Sequence, residues 1–125
     1  MKRILVVDDE KELAEIVAEQ LTNNGYETGV AFDGVEAVLS VLDHHWDIVL
    51  MDIRMPKLDG INALKIIRKV DPHLVVINFT GQTGQAEVAE SLKLGAFGCL
   101  FKPIRLEELL KTIVLVPDHR AAPSA

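Results

Sequence analysis

Cysteine is nearly absent: Cys99 is the only one among 125 residues. An internal disulfide and a cysteine-built zinc site are thereby excluded. Basic charge is also short, with 13 Lys and Arg against 19 Asp and Glu and a formal net charge of −6. Binding along a nucleic-acid backbone needs a basic face, so direct contact with nucleic acid is not expected. Apolar runs are brief, and none nears the roughly 20 residues that cross a bilayer. Met1-Lys2-Arg3 leads only into Ile4-Leu5-Val6-Val7, so neither a membrane anchor nor a secretory signal is expected. Internal repeats and low-complexity blocks are lacking too. What remains is 49% hydrophobic and 26% charged residues, the balance of one folded domain rather than a disordered or collagen-like chain. The expectation is a soluble, acidic, cytoplasmic domain.

Short apolar runs alternate with amphipathic stretches from end to end. Residues 4–7 are uniformly apolar and predict a strand buried on both faces. Leu13, Ile16, Val17 and Leu21 recur at helical spacing, and Asn24-Gly25 supplies a stop. Residues 27–32 predict a weaker, edge-type strand. Asp33 stands as an N-cap with Glu36 in capping-box register, ahead of a helix with Val35, Val38, Leu39 and Leu42 on one stripe. Residues 47–51 predict the third strand, which runs into Asp52. A turn through Met55-Pro56 and Asp59-Gly60 opens a helix with Ile61, Leu64 and Ile67 inward. Residues 74–79 form the fourth strand, followed by a helix over 85–94, a strand over 97–101, and a last helix carrying Leu106, Leu109, Leu110 and Ile113. A single domain over residues 1–116 with a frayed tail over 117–125 is expected. Five apolar strands alternating with five helices predict an α/β fold, a doubly wound parallel sheet covered on both faces.

In such folds the ligand sits at the carboxyl ends of the strands. Strand one ends in Asp8-Asp9 with Glu10 beyond, strand three in Asp52, strand four in Thr80 and strand five in Lys102-Pro103. Each alone has an ordinary reading: a helix cap, a turn residue, a solvated charge. Their convergence on one edge is what carries meaning. Three carboxylates held together repel, and folding must raise a pKa or gather a cation. A few carboxylate oxygens with room left for water and phosphate suit Mg²⁺. A lysine and a hydroxyl beside that ion supply donors for phosphoryl oxygens. Asp52, at the central strand tip, is the best-placed nucleophile.

Asp8-Asp9, the run Met51-Asp52-Ile53-Arg54-Met55-Pro56-Lys57-Leu58-Asp59-Gly60, Thr80-Gly81 and Lys102-Pro103 together resemble the receiver domains of two-component response regulators. The resemblance covers about residues 2–115 and implies a five-stranded sheet in the order 2-1-3-4-5. It implies that Asp52 accepts a phosphoryl group from a phosphohistidine on a sensor histidine kinase or phosphotransfer protein. Asp9, Asp52 and the backbone carbonyl of Arg54 would ligate Mg²⁺ (or Mn²⁺), with Asp8 acting through a metal-bound water. Thr80 and Lys102 would bind phosphoryl oxygens, Gly81 would leave space for them, and the Lys102–Pro103 peptide would be cis. The implied role is a switch, not a turnover enzyme. It would act on a downstream protein or a fused output domain through the face of the fourth helix, fifth strand and fifth helix, with a phosphorylation-dependent dimer as one outcome.

One departure stands out. Cys99 occupies the place where the family has a switch aromatic. Phe101 shares its face by strand alternation, although its ordinary reading is a packing residue under the last helix. Arg54 and Gln82 hold positions that tune phosphoryl lifetime in the family. Rival functions are weaker. Gly81-Gln82-Thr83-Gly84-Gln85 resembles a phosphate-cradling loop of a flavin- or nucleotide-binding domain, but such loops follow the first strand, where two acids stand here. An aspartyl phosphatase would carry a second Asp where Arg54 stands. A phosphorylation-independent pseudo-receiver is opposed by the complete set of site residues. His44-His45 beside Trp46 is expected at a helix end and in solvent rather than on a metal.

Overall fold

A computed structural model describes residues 2–81 and 85–117. The elements run β1 (Arg3–Val7), α1 (Lys11–Asn23), β2 (Glu27–Ala31), α2 (Gly34–Asp43), β3 (Ile48–Asp52), α3 (Gly60–Val70), β4 (Val75–Thr80), α4 (Gln85–Lys93), β5 (Gly98–Phe101) and α5 (Leu106–Leu115). The strands form one sheet in the order β2-β1-β3-β4-β5, with every pair parallel. Alternate strand residues feed two cores. Ile4, Val6, Leu50, Ile77 and Phe79 face α1 and α5, while Leu5, Val7, Val49, Met51 and Val76 face α2 and α3. Burial on both sides is why these strands are apolar without alternation.

The first and last elements are joined by a clasp. Lys2 Nζ donates to the carbonyls of Ile113 at 3.1 Å and Val116 at 2.9 Å, which satisfies acceptors left over at the end of α5. At the same pole, Trp46 lies buried beneath β2. A Cβ on Gly29 would stand 2.6 Å from the indole ring, and the Arg3 guanidinium sits 5.0 Å above it. His44 is the C-cap of α2, and His45 Nε2 lies 3.4 Å from Asp47 Oδ1.

Three expectations about faces are overturned. On α2 the buried residues are Gly34, Ala37 and Val41, whereas Val35, Leu39 and Leu42 are 44–58% exposed. The reason is proximity: a Cβ on Gly34 would overlap the Leu58 carbonyl, so the first inward turn of α2 is built from small residues. On α1, Ala14, Val17, Ala18 and Leu21 form the buried i, i+3, i+4, i+7 stripe, and Ile16, which falls outside it, is 52% exposed. Phe101 is 59% exposed. It does not pack under α5, because Leu100 takes that face of β5 and alternation turns Phe101 to the other.

Candidate functional site

The site is assembled by strand endings. Asp8 follows β1, and its backbone N–H donates to Ala31 O at 3.1 Å. Asp52 is the last residue of β3 and Thr80 the last of β4. Lys102 follows β5, where its backbone N–H donates to Thr80 O at 2.8 Å and the Lys102–Pro103 peptide is cis. The loop after β3 is pinned by close contact. Gly60 N donates to Ile53 O at 2.7 Å, and a Cβ on Gly60 would overlap the Asp52 carbonyl and stand 2.7 Å from Ile53 Cα. Lys57, at φ 67°, turns that loop so that its ammonium lies 3.3 Å from Asp33 at the start of α2.

Asp8, Asp9 and Asp52 each offer a carboxylate oxygen within 4.8 Å of the others, a set able to hold a metal ion. Asp8 and Asp52 are buried, while Asp9 is exposed. Lys102 Nζ lies 2.7 Å from Asp52 Oδ2, 3.1 Å from Asp8 Oδ2 and 3.5 Å from Glu10 Oε1. Backbone donors complete the carboxylates: Glu10 N–H donates to Asp8 Oδ1 and Arg54 N–H to Asp52 Oδ1, both at 3.0 Å. Burial pushes the Asp8 carboxyl above the usual range. The Glu10 N–H and the Lys102 ammonium oppose that shift, and the neighbouring Asp52 charge adds to it. For Lys102, burial works downwards, but the hydrogen bonds and attraction of Asp52 and Asp8 prevail and the ammonium is held well above its ordinary value.

Thr80 is fully buried, and its Oγ1 has no hydrogen-bond partner among the described residues. A buried hydroxyl without a partner is costly, and a ligand oxygen would relieve it. Arg54 extends over the rim, where its guanidinium meets Glu87 of α4 at 2.8 Å and is raised in pKa by that partner. Cys99 is half-buried, and burial pushes its thiol up. Gly81 stands half-buried beside Thr80, whereas Gln82 and most of the glycine-containing loop lie outside the described residues. The fold thus brings Asp8, Asp9, Asp52, Thr80 and Lys102 to one sheet edge. Sequence reasoning missed the Arg54–Glu87 bridge and a buried hydrogen bond between Asn78 and Ser91. Asn78 was legible as the one polar side chain inside an apolar strand.

A family profile described as the response regulator receiver domain matches residues 4–114. The chain belongs to that family. This receiver domain is similar to the regulatory protein AtoC of Escherichia coli, with 40% identity over 109 residues, 87% of this chain and 24% of that protein. It is also similar to the CpxR homolog of Haemophilus influenzae, a transcriptional regulatory protein, with 38% identity covering 99% of this chain and 54% of that one. The chain therefore spans about half or less of the length of these curated relatives. Among solved structures, the receiver domain of the Francisella response regulator 1452 superposes with TM-score 0.84 at 35% identity, over 93% of this chain and 97% of that one. The chemotaxis protein CheY4 of Vibrio cholerae gives 0.87 at 31%, over 94% and 99%. Response regulators are the receiving partners of two-component systems, and the parallel order 2-1-3-4-5 is that of these neighbours. Among the described residues, no helix of this receiver is long and apolar enough to cross a membrane.

Proposed function

We propose that this receiver is a phosphorylation-activated switch in which Asp52 accepts a phosphoryl group from a phosphohistidine of a sensor histidine kinase or phosphotransfer protein. The observation that carries the reading is the placement of Asp52 between Lys102, at 2.7 Å, and two further carboxylates within 4.8 Å. An oxygen of Asp52 forms the O–P bond as the donor's P–N bond breaks, and the imidazole leaves with the electron pair and takes up a proton. Lys102 and Thr80 bind phosphoryl oxygens, and the Thr80 hydroxyl, which has no partner among the described residues, supports this role. The donor set of Asp8, Asp9 and Asp52 fits a hard divalent cation, Mg²⁺ or Mn²⁺. Asp9, Asp52 and the Arg54 backbone carbonyl would hold it and Asp8 would act through water; such an ion would offset charge on the phosphoryl oxygens.

The protein carries one phosphoryl group as a signal and is not a turnover enzyme. Output runs through α4, β5 and α5, where Phe101, Val114 and Leu115 are exposed, as is Phe97 just before β5. The partner is a downstream protein, an output domain in the same polypeptide or a second phosphorylated copy, in the cytoplasm. Incubation with acetyl phosphate and Mg²⁺, followed by mass spectrometry, tests the assignment. The wild type should gain one phosphoryl group and Asp52→Asn none. Retained labelling of Asp52→Asn would overturn it.

A further inference from the structure

Among the helices, α4 has an unusual anchorage. Its single buried residue is Ser91, and Leu92 is 48% exposed. Its neighbour α3, by contrast, buries Ile61, Ala63, Leu64 and Ile67. In place of an apolar contact, Ser91 Oγ donates to Asn78 Oδ1 at 2.6 Å, and Asn78 Nδ2 donates to Met51 O at 3.0 Å. Both side chains are fully buried. Asn78 is flanked in register by Met51 on β3 and Cys99 on β5. One amide thus ties together the residue before Asp52, the strand that ends in Thr80, and α4.

The physical character of this anchor matters. An apolar contact slides, whereas a short hydrogen bond weakens steeply when its partners shift or tilt. A helix that buries so little apolar surface takes its seat from that bond, and elements with few buried contacts are those that open most readily. Thr80 follows Asn78 by two residues, and its hydroxyl has no partner among the described residues. A phosphoryl oxygen on Asp52 would supply one, and drawing Thr80 towards it displaces the end of β4 and the loop that leads into α4.

We propose that Asn78 and Ser91 are positioning residues of the switch: their bond seats α4 in the phosphoryl-free arrangement and is given up on activation. It therefore sets how strongly the protein resists being switched. The inference rests on the phosphoacceptor reading of Asp52. By linkage, an interaction present only in the inactive state lowers affinity for whatever stabilises the active one. Ser91→Ala should raise the affinity for beryllofluoride, a phosphoryl mimic, by about five-fold, the worth of one net hydrogen bond.

The experiment is a beryllofluoride titration in Mg²⁺, followed by amide NMR, of the wild type and Ser91→Ala. Amide hydrogen exchange across residues 85–93 is measured in parallel, without Mg²⁺ or beryllofluoride. Ser91→Ala should bind more tightly and exchange faster in α4 than the wild type. The double variant Asn78→Leu, Ser91→Ala removes the bond without leaving the Asn78 amide oxygen unpaired, at the loss of the side-chain donor to Met51 O; it should also bind more tightly and serves if the single variant folds poorly. Binding by the wild type with equal affinity in the variants would overturn this inference alone. Failure of the wild type to bind beryllofluoride would overturn the phosphoacceptor reading along with it.

Discussion

Asp8 illustrates how a single side chain can be held against its own preference. Burial raises its carboxyl, so the folded chain binds that proton more tightly than the unfolded chain does. The stabilising contribution is complete below the unfolded value near 3.8 and is lost as pH rises through the raised folded value. At pH 7 without a cation, the buried carboxylate therefore opposes folding. Asp8→Asn keeps the size and an acceptor for Glu10 N–H, and should raise the melting temperature by about 2–5 °C at pH 7 without Mg²⁺. The gain should vanish when the melt is repeated in strong acid. The acids at the strand tips were legible in the sequence because parallel strands deliver their last residues to one edge. The exposure of Phe101 was not, because it depends on α4 lacking the apolar bulk to cover β5.

Among the elements, α2 and α3 show how helix starts are fixed. Asp33 Oδ1 accepts from Glu36 N–H at 2.8 Å, and Glu36 Oε1 accepts from Phe32 N–H at 3.1 Å, the reciprocal cap read from the sequence. The Glu36 N–H, with help from Lys57, holds the Asp33 carboxyl below its usual value. This contribution is present above the unfolded value near 3.8 and is lost as pH falls through the lowered one. Asp33→Ala should cost about 1–2 kcal/mol at pH 7 by urea denaturation, and less in strong acid. Gly60→Ala is expected to be harsher, about 3 kcal/mol or more, because the new Cβ meets backbone rather than a movable side chain. In the same variant, phosphorylation by acetyl phosphate should slow, since the displaced atoms belong to Asp52 and Ile53. The inward face of α2 was misread for a related reason. Large apolar residues attract attention in a sequence, yet a helix seated tightly against a loop turns glycine and alanine inward and leaves Leu39 and Leu42 outside.

For the whole molecule, a ligand bound only by the folded chain raises stability by mass action, about 1.4 kcal/mol at ten times its dissociation constant. Millimolar Mg²⁺ should therefore lift the melting temperature by several degrees, and EDTA or Asp9→Ala should abolish the rise. Asp9 is exposed and its removal disturbs no core, so the comparison isolates the ion. The order of the elements and the sheet were legible because β1 and β3 are apolar runs up to their tips and β4 is interrupted only by Asn78 before Thr80. The Asn78–Ser91 bond was not, since it joins residues 13 apart that meet only once α4 lies over β4. The Lys2 clasp has a consequence for synthesis on the ribosome. It spans 111 and 114 residues to Ile113 and Val116, and both of those side chains join the core shared with Ile4 and Val6. A nascent chain that has emerged only as far as Pro103 has made every strand but leaves that side of the sheet half bare. Vectorial folding thus stays open until α5 clears the exit tunnel, and a chain stalled before it should be held by chaperones or aggregate through the uncovered strands.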